Sequence, residues 1–293
     1  GMLSSLGRRV VSASSRSLST KQLVYAENGD PAKVVKLTTH DLPSAPPAGH
    51  VRVEWHAAPI NPADLNQIQG VYPVKPPLPA IGGNEGVGVV TEVGTGVSLI
   101  KKGDRVIPAK SGLGTWRKAG DHAETAVWPI DERLSLEAAA ALQVNPSTAY
   151  RMLADFVQLK KGDTVIQNGA NSGVGRAAMQ ICAIRGINCV SVVRARDGID
   201  ALKDELRALG STEVVTEEEL AKLRGKVKAQ LALNCVGGRS SLMLAATLAR
   251  KGKMVTYGGM SKQPLMTPTA SLIFSDISSH GFWMSRWYES EGT

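Results

Sequence analysis

The chain has 293 residues, 43% hydrophobic and 20% charged, enough for two ordinary globular domains each with its own core. No stretch approaches the ~20 consecutive apolar residues that a membrane span needs. The three cysteines, Cys182, Cys189 and Cys235, lack CxxC spacing, which argues against a disulfide framework and a cysteine-based zinc knuckle and fits a reducing compartment.

The net charge of +8 is partly local. Residues 2–22 carry Arg8, Arg9, Arg16 and Lys21 and many serines, and the first acid is Glu27. Residues 1–20 are therefore expected to form a leader with the composition of a mitochondrial transit peptide; a disordered tail is the plainer alternative. The remainder is only mildly basic, which suits an anionic small ligand better than nucleic acid.

From residue 21 to 143 the text is strand-like. Strands are predicted over Gln22–Tyr25, Val51–Ala58, Gly86–Val93 and Arg105–Pro108, separated by the turn clusters "LPSAPPAG", "PVKPPLPAIGG" and "KKGD". No helix longer than about three turns is expected before Leu136, and the segment reads as a β-rich, partly open barrel.

From 144 to 287 strands and helices alternate. Asn145 is expected to cap a helix over Ser147–Phe156, with Pro146 at its first position. Strand Thr164–Gln167, helix Val174–Arg185, strand Cys189–Val193, helix Ile199–Leu209, strand Glu213–Val215 and helix Glu217–Leu223 follow. Strand Leu231–Asn234, helix Ser240–Ala249 and strands Met254–Tyr257 and Gly281–Met284 complete the series. Such alternation implies an α/β domain with a doubly wound parallel sheet.

The first strand of this series runs into "NGANSGVGRAA". A glycine turn between a strand and a helix start offers unpaired N–H groups and partial positive charge to an anion. Gly173 and Gly175 lack β-carbons, so the backbone can approach a pyrophosphate. The spacing is A-x-x-G-x-G rather than the full G-x-G-x-x-G, and in isolation it also fits a plain structural turn. The next strand ends Val193-Arg194-Ala195-Arg196 with no acid at its tip. An acid there would bond a ribose 2′-hydroxyl, whereas two guanidinium groups can embrace a 2′-phosphate, so the reading is NADPH. A solvated surface pair is the alternative. Asp197 is expected to cap the next turn or helix. Two later glycine turns, "NCVGG" and "YGGM", end strands and are expected to touch the cofactor.

Longer stretches resemble a known family: "APINPADLNQIQGVYP", "LPAIGGNEGVG", "GLGTWR", "NPSTAYRML", "NGANSGVG", "LALNCVGG" and "MVTYGGMSKQP". From Lys21 to Trp287 the chain resembles the mitochondrial trans-2-enoyl thioester reductases of the medium-chain dehydrogenase/reductase superfamily. The resemblance implies a GroES-like catalytic domain over 21–143 and a Rossmann domain over 144–287. It implies NADPH and a thioester on acyl-carrier protein or coenzyme A, a mitochondrial location, and a homodimer with Gly281–Ser285 near an edge. Relatives that bind zinc carry Cys and His where this chain has Asp64 and Asn84, and the five histidines show no ligand spacing, so no metal is expected.

By matching positions the resemblance makes Tyr72 the general acid. It puts Asn145 at the nicotinamide or its ribose. Asn171, Ser172, Gly173, Val174 and Gly175 fall at the pyrophosphate, and Arg194 and Arg196 at the 2′-phosphate. Tyr257, Gly258, Gly259 and Met260 run along the cofactor, with Phe282, Trp283, Met284 and Ser285 near the nicotinamide. Trp116 and Trp283 are candidate walls of an acyl pocket. Members of the family continue beyond the final Rossmann strand and return to the catalytic domain. Residues 288–293 read as a shortened tail, for which impaired stability and turnover are expected. A quinone or alkenal reductase of the same superfamily and a non-enzymatic binding protein are the rival readings.

Overall fold

The computed structural model describes residues 18–223 and 225–290, so the leader expectation for residues 1–17 and the last three residues lie outside them. The chain divides after Ala140 into two compact units.

In the first unit the strands are β1 (Leu18–Tyr25), β2 (Val35–Leu42), β3 (His50–Ala57), β4 (Ala80–Ile81), β5 (Val87–Val93), β6 (Arg105–Pro108), β7 (Ala119–Ala123) and β8 (Val127–Pro129). The helices are α1 (Pro31–Val34), α2 (Pro62–Ile68) and α3 (Leu136–Ala140). They build a three-stranded sheet, β2-β1-β4, and a five-stranded sheet, β7-β3-β5-β6-β8. β1 begins at Leu18 rather than Gln22 and so takes in three residues that the sequence reading assigns to the leader. Thr20 explains the extension, because its buried hydroxyl donates to the Ala119 carbonyl and accepts from the Ala119 amide. β2 and β7 were not expected; the first is a long hairpin partner of β1, and the second is short and polar in sequence.

The five-stranded sheet buries Val51, Val53, Trp55, Val90, Val106 and Val127 on one side. Arg52 is 2% exposed and is held by Asp121 through Nε and Nη2 at 2.8 and 3.0 Å, with Glu92 at 3.0 Å. The pairing is bidentate, the geometry in which a buried guanidinium is best satisfied. His122 alternates with these groups on β7 and is buried. The Trp55 indole Nε1, which can only donate, bonds His122 Nε2 at 3.3 Å, so the imidazole carries its hydrogen on Nδ1.

The second unit contains α4 (Asn145–Asp155), β9 (Thr164–Gln167), α5 (Gly173–Arg185), β10 (Asn188–Val193), α6 (Ile199–Ala208), β11 (Glu213–Thr216), α7 (Glu217–Leu220), β12 (Ala229–Asn234), α8 (Gly238–Ala245), β13 (Leu248–Thr256), α9 (Thr269–Ser275), β14 (Ser278–Gly281) and α10 (Met284–Ser290). All neighbours in the sheet β11-β10-β9-β12-β13-β14 run parallel. Successive strand residues face opposite sides. Val165, Leu231, Leu233 and Val255 accordingly pack with Met152 and Leu153 of α4 and Ala178, Met179 and Cys182 of α5. Ile166, Ala232 and Met254 pack on the other side with Leu220 of α7 and Leu244 and Ala245 of α8. The sheet is thus covered on both faces, as the unbroken apolar runs of its strands require.

Several boundaries differ from expectation. α8 stops at Ala245, where the Thr247 hydroxyl donates to the Leu244 carbonyl, and β13 starts at once with Leu248. The last strand is Ser278–Gly281, a polar stretch chosen by its pairing with β13 rather than by its side chains, and Met284 opens α10 instead of ending a strand. Asp197 does not cap α6, whose N-cap is Gly198 in the left-handed region.

Burial, reinforced by the nearby positive charge of Arg117, lowers the His122 imidazole to about 3. The unfolded chain binds a proton at this group below about 6.5, and the folded chain does so only near 3. Stability held above pH 6.5 is therefore expected to fall as the pH drops toward 3. Urea midpoints measured across this range should show that loss, and His122→Gln should reduce its slope.

Candidate active site

In the second unit the chain leaves β9 and turns through Asn168–Ser172 into α5. Ser172 is the N-cap, and its hydroxyl accepts from the Gly175 amide at 3.2 Å. The amides of Gly173 and Val174 have no intrahelical acceptor and stand at the positive end of a helix of 13 residues. A β-carbon at Gly175 would lie 2.5 Å from the Ala170 carbonyl oxygen, so only glycine lets the first turn of α5 rest on the loop. Gly169, at φ +57°, faces Cys235, whose sulfur would be 2.3 Å from a β-carbon there. At its other end α5 closes with Gly186 in the left-handed region, directly after the expected last residue Arg185.

The sheet reverses its strand order between β9 and β12, the place where open α/β sheets hold their ligands. Two buried asparagines that were not singled out from the sequence tie the strand ends together there. Asn168 Nδ2 donates to Asn234 Oδ1 at 2.8 Å and to the Ser240 hydroxyl at 3.1 Å, while Asn168 Oδ1 accepts from the Cys235 amide. Asn234 Nδ2 reaches the Thr256 hydroxyl at the end of β13. The available signal was an asparagine following each apolar strand and preceding a small residue.

The three glycine turns meet at these strand ends. Met260 and Ser261 donate their amides to the carbonyls of Cys235 and Val236. Gly258 lies beside Cys235, while Gly259 has open space where a side chain would project. Burial, reinforced by the Cys235 thiol, pushes the Tyr257 phenol well above its ordinary value, and the Ser172 hydroxyl pulls the other way. Asn145 is the first residue of α4 rather than its cap, which is Val144. Its side chain lies against Gly173, where a β-carbon would come within 2.8 Å of Nδ2. The starts of α4 and α5 are thereby brought together.

Arg194 and Arg196 follow the tip of β10 and are exposed. Among the described residues neither guanidinium pairs with a carboxylate, and Arg196 Nε reaches only the Arg194 carbonyl at 3.5 Å. Asn171 is held through its carbonyl by Arg176, which also pairs with Glu205 of α6. At the end of β14 the Phe282 amide donates to the Thr256 carbonyl, and its ring packs edge-on against Phe156. Trp283 and Ser285 are half-buried, and Met284 is buried at 4% exposure.

Tyr72 and Trp116 belong to the first unit. Tyr72 is half-buried in the loop after α2 and donates its amide to the Asn66 carbonyl at 3.2 Å. Trp116 covers the backbone of Gly82 and Gly83, with Nε1 on the Pro59 carbonyl at 3.3 Å. Beside them lies a buried polar group. Asp64 Oδ2 accepts from the Asn61 amide at 2.7 Å, and Oδ1 accepts from the amide and side-chain nitrogens of Asn84 at 3.0 and 2.7 Å. Asn61 Nδ2 donates to Glu85 at 2.7 Å. Burial raises the Asp64 carboxyl above the usual carboxylate range, and these hydrogen bonds pull against that.

Residues 47–136 match the alcohol dehydrogenase GroES-like domain and residues 173–292 the family described as zinc-binding dehydrogenase. A mitochondrial enoyl-[acyl-carrier-protein] reductase of Caenorhabditis elegans is 61% identical over 95% of this chain and 81% of its own length. The solved Etr1p/NADP/crotonyl-CoA complex superposes with TM-score 0.89 at 34% identity, covering 94% of this chain and 85% of that one. The mitochondrial 2-enoyl thioester reductase Etr1p/Etr2p heterodimer from Candida tropicalis gives 0.88 at 35%, with the same coverage. The zinc in the second family's description does not fit the residues here. Zinc takes about four N, S or carboxylate donors. Asp64 is already saturated by amide donors, Asn84 offers an amide, and all three cysteines are buried in the second unit. Among the described residues no group of three or more His, Cys, Asp or Glu gathers.

Gly175→Ala should cost about 1–3 kcal/mol of stability, since the added methyl meets backbone that cannot step aside. Denaturant unfolding of the variant measures this, and its NADPH affinity should fall with it.

Proposed function

The chain belongs to the mitochondrial enoyl-[acyl-carrier-protein] reductase family, and on that footing we propose that it reduces trans-2-enoyl thioesters to saturated acyl thioesters with NADPH in the mitochondrion. The observation that carries this reading is the glycine cradle at the sheet's reversal point, followed by an uncommitted pair of arginines at the tip of the next strand. The cradle fits a pyrophosphate, because glycine at 175 lets the first turn of α5 rest on the loop and the amides of Gly173 and Val174 have no acceptor within the helix. NADPH supplies hydride when bound there.

In this reading Asn171, Ser172, Gly173, Val174 and Gly175 receive the pyrophosphate, and Arg194 and Arg196 hold the 2′-phosphate. Asn145, set against Gly173, orients the nicotinamide end. Tyr257, Gly258, Gly259 and Met260 line the cofactor's length, and Phe282, Trp283, Met284 and Ser285 bound the nicotinamide side. Met284 serves from beneath, as a buried support.

A 2-enoyl thioester is polarised by its carbonyl, so its β-carbon is electron-poor and its α-carbon must gain a proton. We assign that proton to the Tyr72 phenol as general acid. Trp116 and Trp283 wall the acyl chain. The thioester is carried by acyl-carrier protein or coenzyme A. We further read the protein as a homodimer formed at β14, which occupies an edge of the six-stranded sheet. An edge strand presents unpaired backbone groups that a second copy can pair. The reading of the location rests on the relatives and on the acid-free leader composition.

Two measurements test the proposal. NADPH oxidation with trans-2-hexenoyl-CoA should slow by about 10²–10⁴-fold in Tyr72→Phe, with NADPH affinity retained. An unchanged rate removes Tyr72 as the acid. Arg194→Ala and Arg196→Ala should each weaken NADPH by about 10–10²-fold, the loss of one charge-assisted hydrogen bond, and leave NADH unaffected. Equal losses for both dinucleotides would place the arginines elsewhere than on the 2′-phosphate.

A further inference from the structure

In the first unit Asp64, Asn84 and Gln67 form a buried group of one acid and two amides, joined through the Asn84 amide and Nδ2, while Asn84 Oδ1 finds no partner among the described residues. Asp64 is the third residue of α2, and one of its oxygens caps that helix at Asn61. Its other oxygen is taken by Asn84. The second hydrogen of Asn84 Nδ2 goes to Gln67 Oε1 at 2.7 Å. Asp64 and Gln67 are three residues apart and so share one face of α2. Asn84 therefore grips the helix at two points one turn apart, which sets both its rotation and its position along its axis. All three residues are buried, Asp64 at 2%, Gln67 at 7% and Asn84 at 5% exposure. Apolar packing would hold the helix in place, but only directional bonds fix its roll.

The far end of the same helix carries the reactive loop. Asn28 Nδ2 donates to the carbonyls of Gln67 and Ile68, both at 3.2 Å, and the Gly29 amide donates to Ile68. The chain then turns at Gly70, with φ +75° and the Asn28 side chain packed where a β-carbon would be. Beyond the turn the amides of Val71 and Tyr72 both donate to the Asn66 carbonyl, at 3.0 and 3.2 Å. Tyr72 thus hangs from the middle of α2 by two backbone bonds, and any roll of the helix carries it along.

We propose that Asn84 is a positioning residue for the reaction: by clamping Asp64 and Gln67 it sets the roll of α2 and with it the place of the Tyr72 phenol. The proposal rests on the reading of Tyr72 as the proton donor. A reacting group displaced by about 1 Å can lose roughly 10²-fold in rate, so a loosened helix matters to catalysis before it matters to folding. Hydride delivery and dinucleotide binding draw on residues of the second unit and do not depend on this clamp.

The test is a double-mutant cycle on the full chain with NADPH and trans-2-hexenoyl-CoA. Asn84→Ala should lower kcat by roughly 10–10²-fold. NADPH affinity should change by less than about twofold, the scatter expected of independent sites. The solvent deuterium isotope effect on kcat should rise, because proton delivery is the step impaired. In the Tyr72→Phe background the same substitution should cost less than about twofold further. Gln67→Met, which removes one of the two anchors and keeps the bulk, should repeat the pattern at smaller amplitude, and it serves if Asn84→Ala folds poorly. Equal losses in both backgrounds, or an unchanged isotope effect, overturn the positioning role. Full activity of Tyr72→Phe alone overturns the underlying assignment of the acid instead.

Discussion

The second unit depends on how closely the first turn of α5 can lie on the end of β9. The contact is between backbone and backbone, with no room for a methyl group between Gly175 and Ala170. Because the helix comes this near, its cap Ser172 stands beside Tyr257, and hydrogen bonds through Asn168, Cys235 and Val236 link the three glycine turns. A helix start carries partial positive charge and amides without acceptors. The helix start is seated at the reversal of the sheet, where open α/β sheets hold their ligands.

The two units solve different problems with their polar groups. In the second, buried asparagines join the carboxyl ends of β9, β12 and β13, so that loops which would otherwise move independently keep one relative arrangement. In the first, an acid and two amides hold a short helix at a defined roll. A helix of seven residues has little stability of its own and takes its position from tertiary contacts. Both sets are buried, where hydrogen bonds are strong. Such networks specify geometry more than they add stability, which is what a site needs from its supports.

Loss of the metal-binding residue types fits the chemistry. Reduction of an activated alkene draws its polarisation from the substrate's own thioester carbonyl, and the protein must bring a proton to the α-carbon. Asp64 and Asn84 are instead bonded to each other. Through Asp64 and Gln67 the Asn84 side chain holds α2.

Much of this protein was legible in its residue order because the deciding interactions are local. Alternating strands and helices, the glycine turn and the glycine that ends α5 all follow from residues within a few positions of one another, as does the arginine pair after β10. Tertiary structure alone decided which strands lie side by side, that polar Ser278–Gly281 is a strand, and that Asn145 supports Gly173 instead of capping α4. It also decided that Asn168 meets Asn234, 66 positions away, and that Asn84 holds α2. The physical reason is the range of the forces. Propensity and capping act along the chain over one or two turns, whereas a buried polar side chain takes whatever partner the packed fold brings to it, and its sequence neighbours say nothing of that partner's number.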